Sequence, residues 1–288
     1  MQSYESVDSF IRASTTSLAK GPVALIFAED AAALDPTVRH HVDLGFKTVV
    51  VFMPSALRLE ADLAECVARV SWDIASDADA VDVVNRCIDA APKLWFYYCY
   101  NAEFLFFPFS ESRTVGEMLA FNAEERRETV LTYVIDLYAG DLEANPDAVS
   151  MSEALFDRSG YYALARKDAW DNALDRQMDF YGGLRWRMEE HVPEERRRID
   201  RVGIFKSKAG LKLRADHTFS EPEYNTYACA WHHNLTAAIC SFRAAKALKR
   251  NPGSRDLIRS FQWHNSIKFE WKSQQLLKLG LIEPGQWF

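Results

Sequence analysis

Two short, almost uninterrupted apolar runs, VALIFA at 23–28 and TVVVFM at 48–53, read as strands buried on both faces. Between them the three-to-four spacing of apolar residues predicts a helix over 29–44, closed by Gly45 at the position where a helix commonly ends in a left-handed residue. A helix over 57–68, a strand over 69–74 and a helix over 78–91 follow, the last with Val81, Val84, Cys87 and Ile88 on one side. The run LWFYYCY at 94–100 reads as another buried strand. Strand and helix alternating over the first hundred residues predict an α/β fold, a mostly parallel sheet sandwiched by helices. Ligands on such sheets bind at the carboxyl ends of strands, which directs attention to Ala28, Met53, Asp73 and residues 100–103.

Further on, the pattern predicts a helix over 115–128, a strand over 129–138, a polar loop over 141–150 and a strand over 199–205. The charged run at 189–201 reads as a solvated surface. In the last third, Trp231, Leu235, Ile239, Phe242 and Ala245 form a helical stripe within 227–249. Pro252 and Gly253 break it, and Ser254 is placed to cap further helix carrying Leu257, Ile258, Phe261, Ile267, Trp271 and Leu277 up to Gly280. The expected organisation is therefore an α/β domain over 1–220 with a helical C-terminal region, 221–288, packed on it.

Composition supports a folded chain: of 288 residues, 48% are hydrophobic and 26% charged. The 34 basic and 41 acidic residues give a net charge of -7, the wrong sign for coating a phosphate backbone, so no nucleic acid is expected. Five cysteines without a C-x-x-C pair, mostly in apolar stretches, read as reduced thiols and fit a cytoplasmic setting. No signal peptide is recognisable at the start. The longest apolar patch, 94–109, is interrupted by Asn101 and Glu103, so no transmembrane segment is expected.

The dinucleotide, Walker, nucleophile-elbow and H-E-x-x-H signatures are all missing. The doublets His40-His41 and His232-His233 place neighbouring rings about 100° apart on a helix and read as packing or polar caps.

The informative passage is Trp95-Phe96-Tyr97-Tyr98-Cys99-Tyr100-Asn101-Ala102-Glu103-Phe104-Leu105. It resembles the nucleotide-sugar-dependent glycosyltransferases of family 2, with the GT-A fold, in which a buried strand opens with Trp and ends in an Asp-x-Asp-Glu-Phe-Leu turn that holds a divalent metal. Glu103, Phe104 and Leu105 match that turn. Ala28-Glu29 and His41-Val42-Asp43-Leu44-Gly45-Phe46 correspond to the family's opening strand and His-x-x-x-Gly-Phe segment. Gly182-Gly183-Leu184-Arg185, Lys206, His217 and His232-His233 correspond to later motifs in the same order, with the Arg one position early. The chain departs from the family at Tyr100 and Ala102, where the two Asp would stand. It departs again at Met53, Pro54 and Ser55, after the second strand.

The resemblance implies a GT-A-like hexosyl transferase that moves a sugar from a nucleotide-sugar donor, its co-substrate, to a glycan or lipid-linked acceptor in surface polysaccharide synthesis. It would be cytoplasmic or peripheral at the inner face of the membrane. It implies that Glu29, Asp73 and Glu103 line the donor edge, with Glu103 the one hard oxygen ligand left for Mg²⁺ or Mn²⁺. Arg185, Lys206 and His217 would face the diphosphate, and Gly182 and Gly183 would shape the acceptor side. A base is needed for the acceptor hydroxyl, and Glu189, Glu190 and Asp216 are the candidates. Loss of both Asp residues keeps open a second reading, a non-catalytic relative that binds or scaffolds. A metal-free enzyme of another reaction type is a third.

Overall fold

The computed structural model describes residues 2–229 and 232–287. The architecture is α/β, a mostly parallel, mixed sheet flanked by helices and compatible with a Rossmann-like arrangement. The chain divides into two compact units, one comprising Met1–Asn101, Ser112–Val130 and Val202–Asn225, the other Ala102–Glu111, Leu131–Arg201 and Thr226–Phe288.

The first unit opens with β1 (Gln2–Tyr4), α1 (Val7–Arg12), α2 (Ser14–Ser17), β2 (Val23–Phe27), α3 (Leu34–Asp43) and β3 (Thr48–Met53). It continues with α4 (Ala61–Cys66), β4 (Ala68–Ser71), α5 (Ala80–Ala90) and β5 (Trp95–Tyr100). The chain passes to the second unit for β6 (Glu103–Phe106) and returns for α6 (Val115–Glu124). Then come β7 (Thr129–Ala139), β8 (Ala154–Asp157), β9 (Tyr161–Lys167), β10 (Ala173–Gly182), α7 (Gly183–Arg187) and β11 (Asp200–Lys206). The chain finishes with β12 (Thr236–Ser241), α8 (Arg243–Arg250), β13 (Ser266–Lys268) and α9 (Ser273–Lys278).

In the first unit β1, β4, β3, β2 and β5 lie side by side, all parallel, and β11 lies next to β5 and antiparallel to it. The chain builds outward from β2 through β3 to β4, then α5 carries it back to β5 on the other side of β2. The order of strands therefore reverses between β2 and β5, and such a reversal opens a crevice at the carboxyl ends. One face packs Phe10, Phe27, Phe52 and Trp72 ring against ring, with Phe27 and Phe52 stacked at 4.8 Å. Val83, Val84, Cys87 and Ile88 form the buried side of α5, with Asp79 capping its first turn through the Asp82 amide. Val81, expected on that side, is only half-buried.

In the second unit β12 runs parallel to β7 and antiparallel to β6, while β8 pairs with β7 and with β13. β9 and β10 form a separate hairpin. Tyr138, Leu184, Ala245, Leu248, Ile258 and Phe261 belong to one buried cluster. Asp157, 1% exposed, is the polar node beside it. Its carboxylate accepts from the Tyr138 hydroxyl, from Arg187 Nε at 2.7 Å and Nη2 at 3.1 Å, and from Trp263 Nε1 at 2.8 Å.

The structure corrects several expectations. The helix expected over 29–44 begins only at Leu34, because side-chain bonds hold residues 29–33 as a loop. The helix expected over 57–68 is confined to Ala61–Cys66. The C-terminal region is not a run of helices: 236–241 form the fully buried strand β12, and α8 covers only eight residues. A short run with an apolar centre satisfies both periodicities, and here two sheet neighbours decide it. Trp231, part of the expected stripe, lies outside the described residues. Between α8 and β13 the apolar residues anchor an irregular segment, Trp271 Nε1 donates to the Met151 carbonyl at 3.0 Å, and helix returns only in α9, which holds Leu277. Among the described residues no helix is long and apolar enough to cross a membrane.

Gly45 ends α3 with φ of 87°, its amide donating to the Val42 carbonyl. A Cβ there would meet Thr114 at 3.4 Å, ordinary contact, so the cost of Gly45→Ala is conformational. It is expected to destabilise the fold by about 1–2 kcal/mol in urea unfolding, whereas Gly116→Ala, in the first turn of α6, costs nothing or stabilises by up to about 1 kcal/mol.

Candidate functional site

At the strand reversal of the first unit, the side chain of Asn101, fully buried, spans the ends of β2 and β5. Its Oδ1 accepts from the Glu29 amide at 2.9 Å, and its Nδ2 donates to Asp30 Oδ1 at 2.8 Å and to the Ala32 carbonyl at 2.9 Å. Its own amide donates to the Phe27 carbonyl. These bonds use the amide's principal donor and acceptor capacity and hold 29–33 as a loop. The Asp30 carboxylate also accepts from the Ala32 amide at 2.8 Å. The result is a polar, acidic rim with Glu29 and Asp30 half-buried at the carboxyl edge.

Asp73 lies at the same edge, after β4, but its carboxylate accepts from the Ala75 amide at 2.9 Å and so shapes its own turn. The loop after β3 holds two cations that sequence reasoning did not single out. Arg69 Nη2 donates to the Ser55 carbonyl at 3.1 Å, and Arg58 Nη1 donates to the Leu57 carbonyl at 2.9 Å, with Arg58 exposed. An Arg in a strand and another in a loop carry no motif, so only the fold brings them to this edge.

Lys206 does not lie beside Glu29. Because β11 runs antiparallel to β5, Lys206 pairs with Trp95, the first residue of β5, and lies roughly 17 Å of strand away from the carboxyl edge. Its ammonium lies 3.8 Å from Glu128. His217, at φ of 62°, stacks on Tyr98 with ring centroids 5.9 Å apart and Nδ1 3.0 Å from the Tyr98 hydroxyl. Asp216 is exposed, and its carboxylate accepts from the Thr218 amide and hydroxyl.

In the second unit Glu103 is 1% exposed. Arg201 Nη2 lies 2.9 Å from each of its oxygens, and the Ser241 hydroxyl donates to Oε1 at 3.0 Å. A carboxylate already neutralised by a guanidinium is a poor ligand for a hard cation. Among the described residues no three His, Cys, Asp or Glu gather around a common point. Glu103, held in this way, does not fit the role of a Mg²⁺ or Mn²⁺ ligand, and no chemical step is assigned to such an ion.

Arg185 Nε donates to both oxygens of Asp136 at 3.1 Å, and its Nη1 donates to the Arg198 carbonyl at 3.0 Å. Burial pushes the Asp136 carboxyl up to about 6 against the opposing pull of Arg185, into the range useful for proton exchange. Asp136 stands alone in an apolar strand, a signal sequence reasoning passed over. Gly182 and Gly183 turn β10 into α7 against Tyr161. A Cβ on Gly182 would lie 2.4 Å from the Gly160 carbonyl oxygen, and one on Gly183 3.3 Å from the Tyr161 ring. That close approach gives both glycines a backbone role. Glu189 and Glu190 are exposed, 3.6 Å from Arg197 and 3.8 Å from His191 respectively.

The histidine doublets serve packing and surface bonds. His41 is fully buried, its Nδ1 2.7 Å from the Thr37 carbonyl and its ring stacked on Tyr97 at 5.1 Å. His233 Nδ1 lies 3.0 Å from Glu283 at the surface. Among the cysteines, burial pushes the Cys87 thiol up to about 12, while Cys66 is exposed.

In comparisons with known proteins, no protein-family model matches the chain and no curated protein matches it.

The raised Asp136 carboxyl fixes a sign for pH dependence. The folded state holds this proton to higher pH than the unfolded chain, so its stabilisation is complete below about pH 4 and is lost as pH rises through 6. Asp136→Asn has no carboxyl to ionise in this buried site, so it is expected to lose less stability than the parent between pH 4 and 6. Urea unfolding across that window checks this, and an unchanged slope contradicts it.

Proposed function

We propose that the chain is a GT-A-like glycosyltransferase whose first unit seats the nucleotide of a sugar donor at the carboxyl ends of β2, β3 and β4. The observation that carries the reading is the Asn101-held loop at the β2/β5 reversal, where open α/β sheets bind ligands. The resemblance over residues 95–105, with Glu103, Phe104 and Leu105 matching the turn, names the donor class. In this reading the Glu29 carboxylate accepts from ribose hydroxyls, and Arg58 replaces Lys206 as the cation against the phosphates. Positive charge is needed there because the nucleoside diphosphate leaves with growing negative charge.

The bonding of Glu103 to Arg201 and Ser241 favours a second reading, a nucleotide-sugar binder without transferase activity. Its partners would be the same donor and a glycan or lipid-linked chain.

Thermal unfolding with UDP, GDP, CMP and their sugars tests the first claim. A ligand at about 100 times its Kd adds roughly 2.7 kcal/mol, a rise of several degrees in Tm. One base is expected to give that rise, and Glu29→Gln to weaken binding about tenfold. No rise with any nucleotide contradicts both readings. Binding with release of the nucleoside diphosphate from the donor supports the transferase, and binding without turnover selects the second reading.

A further inference from the structure

The segment after α8, in the second unit, is irregular yet firmly anchored. Ser254 is fully buried and its hydroxyl donates to the Leu248 carbonyl at 2.7 Å. Lys249 Nζ donates to the carbonyls of Arg255 at 2.6 Å and Ile258 at 3.0 Å. Ile258 and Phe261 enter the same buried cluster as Leu248. Between these anchors Leu257 is held outward, 70% exposed, with Arg255 and Arg259 exposed two residues to either side and Arg250 exposed at the end of α8. From 249 to 259 there are four basic residues and one acid, Asp256, a local charge of +3 in a chain of net charge -7.

An isolated exposed leucine needs no explanation, but this one is fixed between the buried anchors Ser254 and Ile258, with arginines around it. The leucine calls for an apolar medium and the arginines for anionic oxygens. One kind of surface supplies both at successive depths: the boundary between phosphate headgroups and acyl chains of an anionic bilayer. A nucleic acid backbone would match the arginines and leave Leu257 without an apolar partner.

We propose that the loop Arg250 to Arg259 docks the chain on anionic lipid, with Leu257 inserted at the acyl boundary and Arg250, Arg255 and Arg259 among the lipid phosphates. The site is one shallow anchor, so docking is reversible and weakened by salt. It does not depend on the transferase reading.

Cosedimentation of the full chain with vesicles of phosphatidylcholine and phosphatidylglycerol, against vesicles of phosphatidylcholine alone, tests this. Binding is expected to the mixed vesicles and to fall with added salt. Arg255→Glu with Arg259→Glu is expected to lower partitioning at least about twentyfold, at roughly fivefold for each charge near the surface. Leu257→Ser is expected to lower it about tenfold while the salt dependence stays. All three side chains are exposed, so both variants should keep the parental Tm. Absence of binding to the mixed vesicles, or binding that both variants retain, overturns the proposal. So does tighter capture of a duplex oligonucleotide than of the mixed vesicles, lost in the same variants.

Discussion

One buried amide determines what the carboxyl edge of the first unit can do. The side chain of Asn101 joins the backbone and side chains of the loop after β2 to the end of β5, across the point where the strand order reverses. Removing it would leave the Glu29 amide and the Ala32 carbonyl without these partners, at about 1–3 kcal/mol for each group that stays buried. It also keeps α3 from starting early: Ala33 sits at φ of 48° and the first helical residue is Leu34. Had 29–33 continued as helix, Glu29 and Asp30 would project from a regular helix face instead of lining a rim at the strand ends.

The second unit uses its charges differently. Glu103 with Arg201, Asp136 with Arg185, and Asp157 with Arg187 are all bound inward. Such pairs add little net stability over apolar replacements, but breaking one by removing a single partner leaves a buried charge at a cost of about 3–5 kcal/mol. They therefore favour one arrangement of β6, β7, β8 and α7 over its alternatives. The bonds from Arg201 and Ser241 also engage Glu103, the one residue that the resemblance offers as a metal ligand.

The parallel core was legible from sequence because β2, β3 and β5 are nearly continuous apolar runs with amphipathic helices between them, and turn residues such as Gly45 punctuate them. β12 was not, since its six residues carry no period of their own and are buried between β7 and β6, which lie about a hundred or more residues earlier in the chain. The segment after Pro252 misled for a related reason: Ile258, Phe261 and Trp271 recur at helical spacing, yet each anchors a loop. Asp73, read from strand ends, and Glu29, read from the resemblance, both lie at the carboxyl edge. The position of Lys206 depends on the direction of β11, which its apolar pattern does not encode. The partner of Glu103 lies 98 positions away in a charged run that looks like surface.

Hydrogen–deuterium exchange of the backbone amides, with and without a saturating nucleotide sugar, tests the account most directly. It predicts added protection over 28–33 and 54–58, the loops after β2 and β3. Binding that protects other segments and leaves those amides unchanged would contradict it.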